Sequence, residues 1–395
     1  MTSATPPVAD VDRVANALRE PQAWRSASPL EWSRLFGQAR SAGLLARVAW
    51  VIANAGNRTT SPADPDLTPE ALASAGPWPD AARGHVASAW RLALAQRIEV
   101  RRELRHIAHA LAPLAGVGAP VVLLKGAAYV AADLAPARCG RLFGDIDVLV
   151  PRDALDRAEL NLQLHGWESQ ETSDYNQRYY RQWMHELPPM AHRQRGTALD
   201  LHHALLPPTS RLKSPPAPLF AQARPLAAAP GLMALHVLAP EDMLLHSMAH
   251  LFAGDDMRHA LRDLSDMDLL LRDEQARDRD FVGRLVERGL ELGLGRPLAY
   301  GLLGASRVLA TPIPQQALER VRRLAPRSLL GNGMNWLWQH ALRTRHPSVD
   351  RPGTALALQL LYLRGHWLRM PLPMLVRHLS IKALKLHETG PAAEP

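Results

Sequence analysis

The sequence predicts an α+β protein: a small mixed sheet within residues 116–206, set between helical regions on both sides. Three observations carry this. Two apolar runs, VVLLKG at 121–126 and DIDVLV at 145–150, have the length of strands and no helical spacing. The stretches before and after them carry apolar residues at intervals of three and four, the helical period. Finally, 395 residues are too many for one ordinary core, so several units are expected. The expected division is an N-terminal helical region (1–115), the α/β core (116–206), a Pro-rich linker (207–238) and a C-terminal helical domain (239–390).

In chain order, residues 1–96 suggest short helices interrupted by the irregular stretch NRTTSPADPDLTPEALASAGPWPD, which Pro, Ser and Asp keep from regular structure. A long helix is expected over 85–114, ended by GVGAP. VVLLKG then forms a buried strand running into a turn at Gly126, and AAYVAADLA a following helix. DIDVLV is the next strand, and the residues after Pro151 form a helix with acidic groups in its first turn. Between 174 and 206, YYRQWMHELPPMAH and TALDLHHALL suggest two extended segments folded back at Arg195-Gly196. From Ala239 onward the pattern is helical to about residue 387.

Composition narrows the function. An apolar fraction of 47% with 21% charged residues is that of a soluble globular protein. No apolar run reaches the roughly 18 residues of a membrane span, and the first residues lack a charged-then-apolar leader pattern. A single cysteine, Cys139, rules out an internal disulfide and has no suggestive chemical partner. The expected location is the cytoplasm. The net charge of +8 is concentrated: from Arg320 to Pro395 twelve Lys/Arg face only Asp350, Glu388 and Glu394, which is +9. That argues against a nucleic-acid groove running through the protein. The segment 351–386, with six basic residues and no acids, suits either packed helices with a basic side or a peripheral membrane contact, though Pro371 and Pro373 interrupt any long amphipathic face.

The chemistry is expected at Asp145, Asp147 and Asp200. Residues i and i+2 of a strand share a face, so Asp145 and Asp147 lie about 6–7 Å apart. Two such carboxylates repel unless a cation lies between them. ALDLHH supplies Asp200 from another extended segment; if the strands pair, three carboxylates converge on a site for Mg²⁺, with Mn²⁺ as an alternative. His246 and His250 have the i, i+4 spacing of metal ligands, but HSMAH lacks the Glu of a zinc-protease helix and no third ligand is evident.

The ordered set LLKGAA, Arg141, GDIDVLV and LDLH resembles the nucleotidyltransferase superfamily that includes DNA polymerase beta, and within it the bacterial family of uncharacterised nucleotidyltransferases. The resemblance covers about residues 100–290. It implies Asp145, Asp147 and Asp200 as catalytic metal ligands, and Lys125, Gly126, Ala127 and Arg141 around the phosphates of an NTP such as ATP. It also implies that Asp263 and Asp266 line the cleft opposite the carboxylates; their own neighbours, Arg258 and Arg262, offer the alternative of simple ion pairs. Arg141 is either a phosphate clamp or a structural partner of the aspartates. One departure stands out. Family members commonly write Gly-Gly or Gly-Ser where this chain has Gly126-Ala127, so a phosphate-binding hydroxyl is missing and Lys125 and backbone N–H groups must do more. The implied reaction moves an NMP from the NTP to a hydroxyl of a small-molecule or biosynthetic-intermediate acceptor rather than nucleic acid, since no aromatic–basic stripe accompanies the core. The alternative is a catalytically inactive nucleotide-binding or membrane-surface scaffold.

Overall fold

A computed structural model describes residues 11–55, 67–227, 229–326, 329–371 and 373. Five helices precede the sheet: α1 (Arg13–Arg19), α2 (Pro29–Ser41), α3 (Leu45–Ala53), α4 (Pro69–Ala75) and α5 (Asp80–Ala115). The last is the long helix expected from the spacing, and it buries Leu104, Ile107, Leu111 and Leu114 along one face.

Seven short strands form one mixed sheet: β1 (Val121–Leu123), β2 (Ile146–Leu149), β3 (Trp167–Ser169), β4 (Met190–His192), β5 (Ala198–His202), β6 (Arg224–Pro225) and β7 (Leu235–Val237). Their order is β3-β4-β5-β2-β1-β7-β6. The strand with no polar residue, β1, is buried throughout and lies inside the sheet, antiparallel to β2 and parallel to β7. Between the strands run α6 (Lys125–Ala131), α7 (Ala135–Arg138), α8 (Leu155–Leu164), α9 (Asp174–Trp183) and α10 (Ala217–Gln222). Beyond them come α11 (Pro240–Ala253), α12 (Ala260–Arg277), α13 (Phe281–Glu291), α14 (Gly295–Leu309), α15 (Gln315–Leu324), α16 (Leu329–Ala341) and α17 (Thr354–Arg369). A continuous cluster of buried side chains runs from Val14 in α1 through the strands to Leu361 in α17.

Two expectations change. Residues 174–183 form a helix, not an extended segment. Their aromatic content suggested a strand, but Tyr179, Tyr180 and Trp183 lie at helical spacing and pack edge-to-face on one another, against Met184 and Met370. Only Met190–His192 of that stretch is a strand, and it turns back onto β5 through Gly196, whose φ of +68° suits glycine. The Pro-rich stretch 207–238 contributes α10 and both strands at one end of the sheet, with Leu235 and Val237 registered against Val121 and Leu123. Its prolines hid the three-residue strand Leu235–Val237.

Among the described residues no helix is long and apolar enough to cross a membrane. Within the basic C-terminal segment, Arg364 donates to the Phe252 carbonyl at 2.8 Å and Arg369 pairs with Asp255 at 2.8 Å, so both are tied to the protein. Residues 374–386 of that segment lie outside the described residues.

Candidate active site

The site begins where β1 ends. Leu124 donates its N–H to the Asp147 carbonyl at 3.0 Å, continuing the β1–β2 ladder, and the chain then turns sharply into α6. The turn residue is Lys125, with φ of +42°, a left-handed conformation that costs a non-glycine residue free energy. The left-handed turn residue is thus Lys125, one position before Gly126. It aims the Lys125 ammonium back at the sheet, where Nζ lies 3.1 Å from Asp147 Oδ1.

Asp147 is buried on β2, and His202 Nε2 approaches the same Oδ1 at 3.1 Å. Burial alone would raise the carboxyl pKa, but Lys125 and His202 outweigh it and hold the group well below the usual carboxylate range. Burial likewise pulls the Lys125 pKa down, and Asp147 and Asp145 more than reverse this. The two carboxylates expected to repel therefore behave differently: Asp147 is already neutralised by protein cations.

The uncompensated charge belongs to Asp200. Strands β2 and β5 run parallel with Asp147 directly opposite Asp200, so their side chains share one face, as does His202 two residues on. Burial, then Asp147 and Glu186, push the Asp200 pKa up to about 7. Ligand atoms of Asp147, Asp200 and His202 lie within 4.8 Å of one another. Asp145, exposed in the loop before β2, lines the adjoining cleft but is in neither three-residue ligand group found among the described residues.

That cleft has a volume of about 350 Å³ and is bounded by Lys125, Gly126, Asp145 and Asp147 on the sheet side. Its far wall comes from α11, α12 and their connection, with His250, Asp256, Arg258 and Asp263. Arg141 forms the floor. Its Nε donates to Asp266 Oδ2 at 2.6 Å and Nη1 to the Leu142 carbonyl at 3.0 Å. The other oxygen of Asp266 accepts from Arg47, a fully buried residue of α3, also at 2.6 Å. Asp266 thus joins two buried guanidiniums; burial would raise its pKa, and Arg141 and Arg47 bring it below the usual value. Asp263 and Asp266 both line the cleft; Asp263 also pairs with Arg262, while Arg258 pairs with Asp256.

Gly126 is needed for a different reason than turn geometry. A Cβ there would meet Arg141 Nη1 at 2.9 Å and Phe143 Cδ1 at 3.0 Å. The glycine lets the guanidinium lie across the start of α6. Ala127 is buried and does not line the cleft. His246 is a core residue whose pKa burial and Lys125 push down to about 3, while Lys125 and then burial hold His250 well below its usual value. Burial pushes the Cys139 thiol up to about 12, consistent with an inert packing role.

Compared with known protein families, residues 28–310 match the family described as uncharacterised nucleotidyltransferase. The chain belongs to that family. No curated protein and no solved structure matches it. The family match spans α2 to α14 and so includes Arg47, Arg141 and Asp266 as well as the carboxylates. The protein is accordingly a nucleotidyltransferase, and the family implies an NTP as substrate.

Sequence reasoning missed His185, Glu186 and His202. The signal was present in ALDLHH: on a strand, His202 follows Asp200 on the same face.

Proposed function

We propose that this enzyme transfers an NMP from an NTP to a hydroxyl of a small-molecule or biosynthetic-intermediate acceptor, in the manner of the DNA polymerase beta-like superfamily. The observation that carries the reading is the in-register pair Asp147 and Asp200 beside a polar cleft, with the Asp200 carboxyl offset only in part by His202. The donors suit a hard ion: Asp147 and Asp200 offer oxygens, and Asp145 adds a further carboxylate at the rim. A divalent ion such as Mg²⁺ held there would neutralise the triphosphate and polarise the phosphorus under attack.

In this reading the chain's own groups do the rest. Lys125, half in the cleft, meets the phosphates as a point charge, and Gly126 leaves room for them against Arg141. Asp200, on the same face as Asp147, takes the proton from the acceptor hydroxyl. The acceptor lies toward Asp256, Arg258 and Asp263, whose mixed charges suit a polar molecule with both signs or many hydroxyls.

The competing reading, a nucleotide-binding protein without transfer chemistry, has one observation in its favour: the Arg141 guanidinium is held by Asp266 and a carbonyl. The test is a panel of NTPs with Mg²⁺ and pooled polar acceptors, followed by pyrophosphate release. Wild type should release pyrophosphate in an acceptor-dependent way, and Lys125→Ala should raise KM for NTP. Nucleotide binding without turnover under every acceptor would support the competing reading instead.

A further inference from the structure

His202 presents two faces to two different groups. Its Nε2 lies against Asp147, and its Nδ1 is 3.4 Å from Glu186 Oε2. Nε2 is placed to donate to Asp147, and Nδ1 faces a second carboxylate, that of Glu186. The His202 side chain is only 3% exposed, and Nδ1 has no hydrogen-bond partner among the described residues. A buried imidazole held between two carboxylates calls for positive charge, either a second proton on the ring or a cation beyond Nδ1.

His185 completes the arrangement. Its Nε2 lies 3.8 Å from the same Glu186 Oε2, its Nδ1 is buried without a hydrogen-bond partner among the described residues, and its ring centroid lies 5.3 Å from that of His202. Burial and the nearby charges keep its pKa well below the usual value, so the ring is neutral and has a lone pair to offer. The backbone holds the segment in place: the His185 carbonyl accepts from His203 N at 2.8 Å, the Leu187 N–H donates to the Leu201 carbonyl at 2.9 Å, and Glu186 forms a bridge with His202. Ligand atoms of His185, Glu186 and His202 all lie within 4.8 Å of one another.

We propose that His185, Glu186 and His202 form a second metal site, behind His202 as seen from Asp147, that takes a nitrogen-preferring divalent ion of the Zn²⁺ and Co²⁺ class. Two imidazoles and one carboxylate are the donor set such ions favour, and Mg²⁺ does not. Ligands at about 2.1 Å from an ion can be at most about 4.2 Å apart, so closure requires only a small side-chain adjustment. The His202 imidazole would then connect the ion to Asp147, which is how carboxylate–histidine–metal groupings fix a ring's tautomer and orientation. His202 is thereby a positioning residue for Asp147. The site stands on its own ligands and does not depend on the transfer reaction.

The test uses metal-free, full-length protein titrated with Co²⁺ in the absence of nucleotide. At least one Co²⁺ per chain should bind, with visible absorption showing nitrogen ligation. His185→Gln and Glu186→Gln should each weaken binding at least about 10-fold, while Asp145→Asn should leave it unchanged. X-ray absorption at the zinc edge of the wild-type protein should show two imidazole ligands, which keeps the test decisive even if a variant fails to fold. Equal Co²⁺ affinity in wild type and both Gln variants, a zinc spectrum of oxygen ligands only, or no Co²⁺ binding would overturn the proposal; in the last case a proton on His202 supplies the positive charge. A failed transfer assay with NTP would leave these readouts untouched.

Discussion

Replacing Asp200 by Asn should make the metal-free protein more stable, and by an amount that depends on pH. In the folded state the Asp200 carboxyl is pushed up to about 7, against an ordinary value of about 3.9. Each unit of difference corresponds to about 1.4 kcal/mol, so ionising this group in place costs at most about 4 kcal/mol. Asp200 is half-buried and coupled to Asp147 and Glu186, and solvent access reduces the cost to roughly 2 kcal/mol. The sign follows from the raised folded value. Below about pH 4 the group is protonated whether folded or not, and it costs nothing. Between about pH 4 and the folded value of about 7 the penalty grows, and above that it is complete. Asn keeps the shape and never ionises, so its advantage should be about a third of full size at pH 5 and complete at pH 8. For a cooperative chain of this length, 2 kcal/mol corresponds to a melting shift of about 2–3 °C. Calorimetry in chelator at pH 5 and pH 8 measures it, with transfer activity expected to vanish at both. A variant less stable than wild type by the same amount at both pH values would refute the argument, because it would mean that the native carboxylate is already compensated.

Asp147→Asn should do the opposite and destabilise the apo protein by about 3 kcal/mol, since it leaves the Lys125 ammonium and His202 without their buried partner. Urea melts near neutral pH detect this loss, and it should shrink as pH falls through the depressed Asp147 value; a stability gain would restore the repulsion argument. Gly126→Ala places a Cβ 2.9 Å from Arg141 Nη1, so stability should fall by about 1–3 kcal/mol and KM for NTP should rise; an unchanged protein would show that Arg141 is free to move. Asp266→Asn should cost about 3–5 kcal/mol in denaturant melts, because two buried guanidiniums lose their shared carboxylate, and a loss below about 1 kcal/mol would contradict that account.

How much could be read beforehand depended on whether the information was local. The β1 and β2 runs declared themselves because an interior strand is buried on both faces and mostly apolar, and α5 because 36 residues of helix repeat their pattern many times. The facing of Asp147 and Asp200 follows from the period of two once β2 and β5 pair, but the pairing itself is a tertiary fact. Helix α9 was misread because aromatic residues favour strands in isolation, and only contacts with Met370 show which period they obey. Strand β7 has three residues, too few for any pattern to emerge from a Pro-rich stretch. His185 and His202 lie 17 positions apart by their numbering, and nothing local marks them as neighbours. The same holds for Asp266, whose adjacent arginines were the obvious partners and not the ones it uses.

The shared carboxylate of Asp266 also imposes an order on the protein's birth. Arg141 leaves the ribosome 125 residues before Asp266, and Arg47 earlier still, 219 residues ahead. Until α12 is synthesised, both arginines must stay hydrated, because neither can enter an apolar interior without its counter-charge. At roughly 5–20 residues per second, that interval lasts on the order of ten seconds for Arg141. The cleft floor therefore cannot close around a growing chain. A chain that ended before residue 266 would keep its sheet residues and lack the carboxylate that seats Arg141.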